Sequence, residues 1–214
     1  MTDTVTDIVK RTGCRLIHLI SGDRMTVPLL VFKRAPLKVG QAVDPEVYRA
    51  GTKPMEAGLA LEQAGRMLIS RDHTQGEIRK KLIEVGYSEP AVKQTMEKLV
   101  QARLVDDRRY VTNYVNMKIK RVGVGRIHRE LTLKGIPAED IAEALEKTDN
   151  SAQLDSAVKH AKKALSKRTK EPRHQAQLAY AALARRGYSP DVIRRALDLA
   201  RDSLLEQETD GFSG

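Results

Sequence analysis

Two constellations in the chain carry residue types at spacings that could do chemistry. The stretch "RVGVGRIHREL", Arg121 to Leu131, sets Gly123 and Gly125 as a Gly-x-Gly pair ahead of an amphipathic run, the opening of a loop that cradles a dinucleotide phosphate. It fails that test twice. The third glycine of Gly-x-Gly-x-x-Gly falls on His128, and the preceding "NYVNMKIKR" has a charged helical pattern rather than that of a buried strand. The sequence instead predicts a tight turn between helices, with Gly123 supplying an unusual backbone angle and the next helix starting near Val124 or Gly125. Asp106 and Asp107 are adjacent carboxylates suited to acid/base or metal work, but they stand just ahead of a helix, where capping and the helix dipole account for them.

Nothing else assembles into a reactive set. His18, His73, His128, His160 and His174 form no pair at helical metal-ligand spacing, and no His-Glu-x-x-His is present. Cys14 is the single cysteine, which excludes an internal disulfide and a cysteine-cluster zinc site and suits a reducing cytoplasm. The sequence therefore predicts a non-enzyme without cofactor or metal. The N-terminus has no basic segment followed by an apolar run, and "LIHLI" and "VPLLVF" are far shorter than the roughly 20 residues of a spanning helix, so we expect a cytoplasmic protein without a membrane partner.

Charge is the stronger signal. The net charge is +10, and its cations cluster. From Arg108 to Lys134 the basic residues are Arg108, Arg109, Lys118, Lys120, Arg121, Arg126, Arg129 and Lys134, against Glu130 alone. A second group holds Lys159, Lys162, Lys163, Lys167, Arg168, Lys170 and Arg173 against Glu171. Such lopsided runs suit contact with a polyanion, nucleic acid or an acidic protein face. Aromatic residues make up just 4% of the chain, and Tyr87, Tyr110, Tyr114 and Tyr188 are expected in the core, so non-specific phosphate contact or docking on an acidic protein is better supported than base reading.

The elements that must position these cations repeat. "GEIRKKLIEVGYSEPAVKQTM" from Gly76, "GRIHRELTLKGIPAEDIAEAL" from Gly125 and "QLAYAALARRGYSPDVIRRAL" from Gln177 superpose, aligning Gly86, Gly135 and Gly187. Ile78 and Leu82, Ile127 and Leu131, and Ala179 and Leu183 precede each glycine at the four-residue interval of one helix face. Val92 and Met96, Ile141 and Leu145, and Ile193 and Leu197 follow it likewise. Each repeat is thus two helices joined at a glycine in the left-handed conformation, with Tyr87, Ile136 or Tyr188 closing over the last turn. Thr74 with Glu77 spells a capping box, Ser88 and Ser189 read as N-caps, Pro190 suits a first helical position, and Pro137 with Glu139 opens the middle repeat's last helix. A third helix precedes each pair, carrying Leu61, Ala64 and Leu68, then Val111, Tyr114 and Val115, then Val158, Ala161 and Leu165. The fold class is mainly α: tandem three-helix repeats in an elongated, curved array, some nine helices between about 58 and 204.

Ahead of them, "CRLIHLISGDRMTVPLLVFKRAPL" reads as a β-hairpin turning at Ser21, Gly22 and Asp23, with Pro28 at a strand start or edge. "VDPEVYRAG" reads as a short helix capped by Asp44, before a linker at "GTKP". The expected divisions are an extension over 1–57, repeats over 58–105, 106–149 and 150–206, and a disordered tail over 207–214.

These residues carry a resemblance. Leu68, Arg71, Thr74, Glu77, Ile78, Lys81 and Leu82, then Leu104, Val105, Asp106, Asp107, Arg109 and Tyr110, then Arg126, Ile127, Glu130, Leu131, Lys134, Gly135 and Ile136, resemble in order the signature of the RecX family of bacterial recombination regulators. The resemblance runs from about 58 to 204, with the third repeat weaker. Two positions depart from the family pattern: Val124 follows Gly123 where proline is common, and Tyr110 stands for the commoner phenylalanine. The resemblance implies a protein that binds the RecA recombinase and its single-stranded DNA filament and restrains filament growth, ATP hydrolysis and strand exchange. It would do so through a basic surface of Arg71, Lys81, Arg109, Lys118, Lys120, Arg121, Arg126, Arg129, Lys134, Lys163, Lys167 and Arg168, with non-specific contact to single- or double-stranded DNA. Ile78, Leu82, Gly86, Tyr110, Ile127, Leu131, Gly135, Leu183 and Gly187 would form the repeat cores. The competing reading is a DNA-binding protein whose repeats act as helix-turn-helix units, with the helix near Arg126 entering a groove.

Overall fold

The three aligned glycines all adopt positive φ, +100° at Gly86, +78° at Gly135 and +85° at Gly187. Around each, the backbone closes the same way in this computed structural model, which describes residues 1–148, 150–166 and 172–210. Tyr87 N donates to Leu82 O at 3.1 Å, Ile136 N to Leu131 O at 3.2 Å, and Tyr188 N to Leu183 O at 3.4 Å, while each glycine amide bonds three residues back. This is the Schellman closure, and the residue after each glycine is 4% exposed, its side chain folded over the turn it terminates.

The chain divides into two units, Met1–Asp107 and Arg108–Gly214. The first opens with a four-stranded antiparallel sheet of β1 (Asp3–Arg11), β2 (Cys14–Leu19), β3 (Arg24–Pro28) and β4 (Ala42–Val43), in the order β3-β2-β1-β4. The expected hairpin is β2 with β3, turning through Gly22, and Pro28 ends the edge strand instead of starting it. β1 and β4 were not expected. In β1, "DTVTDIVKR" buries Val5 but leaves most of its length partly or fully exposed, so its pattern reads as polar. The apolar run "LLVFKR" forms helix α1 (Leu29–Arg34) where a continued strand was expected, because Pro28 presets its entry and periodicity cannot separate strand from helix over so few residues.

Asp44 caps the next helix, accepting from the amides of Glu46 and Val47. That helix, α2 (Pro45–Ser70), is not short, and "GTKP" is no linker: α2 runs straight through Pro54. Thr52, Glu56, Ala60 and Ala64 are buried at four-residue intervals along it, so packing of one stripe outweighs the loss of a single helical amide. α3 (Gln75–Glu84) and α4 (Glu89–Gln101) complete the first repeat. The Thr74–Glu77 capping box is present in full. Asp107 accepts from Gln75 N at 2.9 Å, so this carboxylate serves the start of α3 as well as standing at the start of its own helix. Ser88 does not cap α4 through its side chain; its hydroxyl donates to the buried Glu56 carboxylate, which its amide also meets at 3.3 Å. The sheet and this repeat share one core, from Ile17 and Val27 through Ile78, Leu82 and Leu99.

The second unit holds two repeats: α5 (Asp107–Lys118), α6 (Val124–Leu133) and α7 (Ala138–Glu146), then α8 (Asn150–Leu165), α9 (Pro172–Arg185) and α10 (Pro190–Asp210). Each buries its own cluster, Val111, Val115, Ile127, Leu131 and Ile141 in one, Ala157, Ala161, Leu183, Ile193 and Ala196 in the other. The expected tail is helical as far as Asp210; 211–214 lie outside the described residues. None of the described helices is long and apolar enough to cross a membrane.

Candidate polyanion-binding surface

The loop that first suggested phosphate chemistry is spent on the fold. Gly123 sits at φ −76° and ψ 159°, an ordinary extended angle, so the expectation of an unusual backbone conformation there is wrong. Its glycine is required by proximity. Gly123 N donates to Arg186 O and Gly125 N to Gly187 O, both at 3.0 Å, and a Cβ on Gly123 would lie 2.3 Å from backbone atoms of Gly187 and Tyr188. The amides a phosphate loop would offer are taken by the carbonyls that end α9. His160 reinforces the joint, its Nε2 donating to Arg121 O at 3.0 Å. Desolvation lowers the His160 pKa and the nearby cations Arg186, Lys163 and Lys159 act in the same sense, against that hydrogen bond.

The charge beside this loop is organised. α5 presents Tyr110, Tyr114 and Lys118 at four-residue steps, and α6 presents Arg126, Glu130 and, at its C-cap, Lys134 at the same steps. Contacts between them run in opposite directions along the two helices. Lys134 Nζ lies 5.5 Å from the Tyr110 ring centre and 6.0 Å from that of Tyr114, and Lys118 Nζ lies 5.4 Å from Tyr114. The two rings stack with centres 5.9 Å apart at 15°. At the middle of the face, Glu130 accepts from the Tyr114 hydroxyl at 2.5 Å and from Arg126 Nε at 2.8 Å, with Lys118 Nζ at 3.7 Å. Burial pushes the Glu130 carboxyl up, but the hydrogen bonds from Tyr114 and Arg126 and the charges of Lys118 and Arg126 outweigh it and hold it below the usual carboxylate range. Burial first, then the bond to Glu130, raises the Tyr114 phenol, keeping it a neutral donor.

The expected basic residues thus fall into distinct settings. Lys118, Arg126 and Lys134 come together around Tyr110, Tyr114 and Glu130. Lys120, Arg121 and Arg129 are exposed on the same repeat, and no carboxylate of the described residues forms an ion pair with any of the three. Arg109 is exposed on α5, and Lys163 is exposed on α8. Arg71 and Lys81 belong to the first unit, pairing with Glu77 at 3.3 Å and Glu84 at 3.6 Å. Lys167 and Arg168 lie outside the described residues. Of the repeat-core residues, Ile78, Leu82, Ile127, Leu131 and Leu183 are fully buried. All four tyrosines pack on a core: Tyr87 and Tyr188 are buried, while Tyr110 and Tyr114 are partly buried against the middle repeat's cluster and also carry cations on their rings. Glu130 joins this face although cation clustering alone does not select it; its place as the single acid in a long basic run is the sequence signal.

Chemically, cations grouped in this way can attract an anion. Among the described residues no group of three His, Cys, Asp or Glu side chains is placed to hold a metal. Comparison with known proteins agrees with the repeat organisation. Residues 60–99, 106–145 and 151–197 match the first, second and third three-helix domains of RecX, together more than half of the chain. The regulatory protein RecX of Bacillus licheniformis is 35% identical over 155 residues, which are 70% of this chain and 57% of that one. Its counterpart from Prosthecochloris aestuarii is 32% identical over 142 residues, 65% of this chain and 91% of the other. A crystal structure of a regulatory protein RecX superposes with a TM-score of 0.62 at 27% identity, covering 92% of this chain and 99% of that one. The crystal structure of RecX from Lactobacillus salivarius has the same fold, with a TM-score of 0.60 at 22% identity over 68% of this chain and 97% of that one.

Proposed function

The chain belongs to the RecX family, and from that premise we propose that it binds the RecA recombinase and its single-stranded DNA filament and restrains filament extension, ATP hydrolysis and strand exchange in the cytoplasm. The observation that carries this reading is the match of three consecutive three-helix domains, in order, to a family of regulatory proteins. The physical setting supports it. Tandem repeats can engage several subunits of a polymer, so individually weak contacts gain from effective concentration. The cations of the middle repeat attract acidic protein or phosphate at long range. Such a protein acts without chemistry of its own, by favouring one state of the assembly equilibrium.

The helix-turn-helix alternative has less support. A recognition helix contacts bases with its N-terminal residues, whereas the N-terminus of α6 meets the end of α9 backbone to backbone through Gly123 and Gly125.

Recombinase ATPase on single-stranded DNA, measured with this protein titrated in, is the test. The expected result is inhibition at micromolar excess, weakened when Arg126 and Arg129 are both replaced by alanine without loss of helicity. Unchanged hydrolysis and strand exchange at saturation would falsify the reading.

A further inference from the structure

The donors around Glu130 are those a phosphodiester would require: one guanidinium edge, one ammonium and one phenol, converging on two oxygens. In the protein by itself those oxygens belong to Glu130, held at 2.5 Å by Tyr114, 2.8 Å by Arg126 and 3.7 Å by Lys118. Glu130 is also the only acid between Arg108 and Lys134. A surface selected only for solubility does not need its single carboxylate at the one point where an arginine, a lysine and a tyrosine meet.

We propose that Arg126, Lys118 and the Tyr114 hydroxyl form a subsite for a backbone phosphate of nucleic acid, that Glu130 is its resident occupant in the free protein, and that binding proceeds by exchange of phosphate for this carboxylate. The inference rests on the polyanion contact in the function proposed above and assigns it to particular atoms. The exchange is one of partners only: Arg126 and Lys118 turn from Glu130 to the phosphate, while Glu130 moves toward water. An incoming protein carboxylate would swap like for like and gain little. A nucleic-acid strand brings successive phosphates, so as one displaces Glu130 its neighbours reach Lys120, Arg121 and Arg129, none of which is ion-paired with a carboxylate of the described residues. Glu130 then has two effects. It holds Arg126 and Lys118 in position, and it sets a threshold that an isolated anion does not pass and a polyanion does.

The test compares the native chain with Glu130→Gln, which keeps the side-chain shape and an acceptor for Tyr114 but removes the competing charge. Binding of a fluorescent oligo-dT strand is measured across a salt series. Exchange predicts that Glu130→Gln binds at least several-fold tighter at moderate salt, while the log–log salt slope, set by the number of phosphates contacted, stays close to that of the native chain. Glu130→Gln binding oligo-dT no tighter than the native chain, with helicity retained, overturns the inference and makes Glu130 an organiser of the cations instead. Tightening toward polyglutamate but not oligo-dT also overturns it, assigning the subsite to an acidic protein. A direct measurement on the native chain guards against misfolding of the variant. The Arg126 side-chain NH and Glu130 carboxyl NMR signals must shift together on saturation with oligo-dT; binding that leaves both unmoved overturns exchange. If neither protein binds oligo-dT, the nucleic-acid contact itself fails, an outcome distinct from binding without the Glu130 effect.

Discussion

Gly123→Ala separates two reasons a glycine can be required. Its backbone, φ −76° and ψ 159°, is one that alanine adopts freely, and on backbone grounds alone the change would stabilise by about 0.4 to 1 kcal/mol through the unfolded chain. Contact predicts the opposite. A Cβ there lies 2.3 Å from the C and O of Gly187 and from the N of Tyr188, which are main-chain atoms and cannot swing aside. Relief takes a separation of roughly 1 Å, which carries both 3.0 Å bonds, Gly123 N to Arg186 O and Gly125 N to Gly187 O, out of range. Each lost bond costs about 0.5 to 1.5 kcal/mol, and more if a carbonyl is left buried without a partner, so the expected loss is about 2 to 4 kcal/mol. With about 4 to 8 °C per kcal/mol for a unit near this size, melting followed by circular dichroism should fall by roughly 10 °C or more. Amide exchange at Gly125 should quicken with it. A variant as stable as the native chain, with the Gly125 amide still protected, would refute the close approach as the reason for this glycine.

Four further outcomes follow from the same contacts. Gly58→Ala, inside α2 where a Cβ meets nothing within 4 Å, should raise stability by about 0.5 to 1 kcal/mol in urea denaturation. Leu131→Ala empties a fully buried site in the middle repeat and should cost about 2 to 5 kcal/mol. Thr74→Ala removes the hydroxyl that accepts from Glu77 N at 3.1 Å and should cost about 1 kcal/mol, visible as earlier fraying of α3 in hydrogen exchange. The lowered pKa of His160 means that the unfolded chain takes up its proton more readily than the folded one, so native stability should fall as pH drops below the ordinary histidine value of 6.5; in His160→Gln that share of the loss should vanish when the two melting curves are compared from pH 7.5 downward.

How far the sequence reached depends on how local each cause is. The hairpin glycines are legible because helix termination is decided within five residues: Leu82, Gly86 and Tyr87 suffice, and the pattern recurs twice. The Thr74 cap is legible for the same reason. Strand β1 is not, since only Val5 of its nine residues is buried and its partners Cys14 to Leu19 supply the apolar face. Continuity of α2 through Pro54 is hidden for a related reason, because the stripe Thr52, Glu56, Ala60 and Ala64 includes two polar residues whose burial depends on distant partners. Glu56 is the clear example: a carboxylate 8% exposed is explained only by the Ser88 amide and hydroxyl, 32 residues away. In the candidate surface, the spacing of Tyr110, Tyr114 and Lys118 is visible along α5, but the position of Glu130 against it requires the second helix.

The same turn that ends a helix also makes a docking point. At Gly86 an added Cβ would lie 2.6 Å from Thr26 O on the edge strand, and at Gly187 it would lie 2.3 Å from Arg126 N at the start of α6. Positive φ is therefore only half of what these two positions require; the other half is the absence of a side chain where one backbone meets another. A repeat built this way uses its hairpin turn as a flat knob, the first set against β3 and the third against the middle repeat. The consequence for the candidate surface is direct. Arg126 Nε holds Glu130, and the backbone that carries Arg126 is anchored by the turn at Gly187, so the cationic face of the middle repeat is positioned by a glycine of the next one.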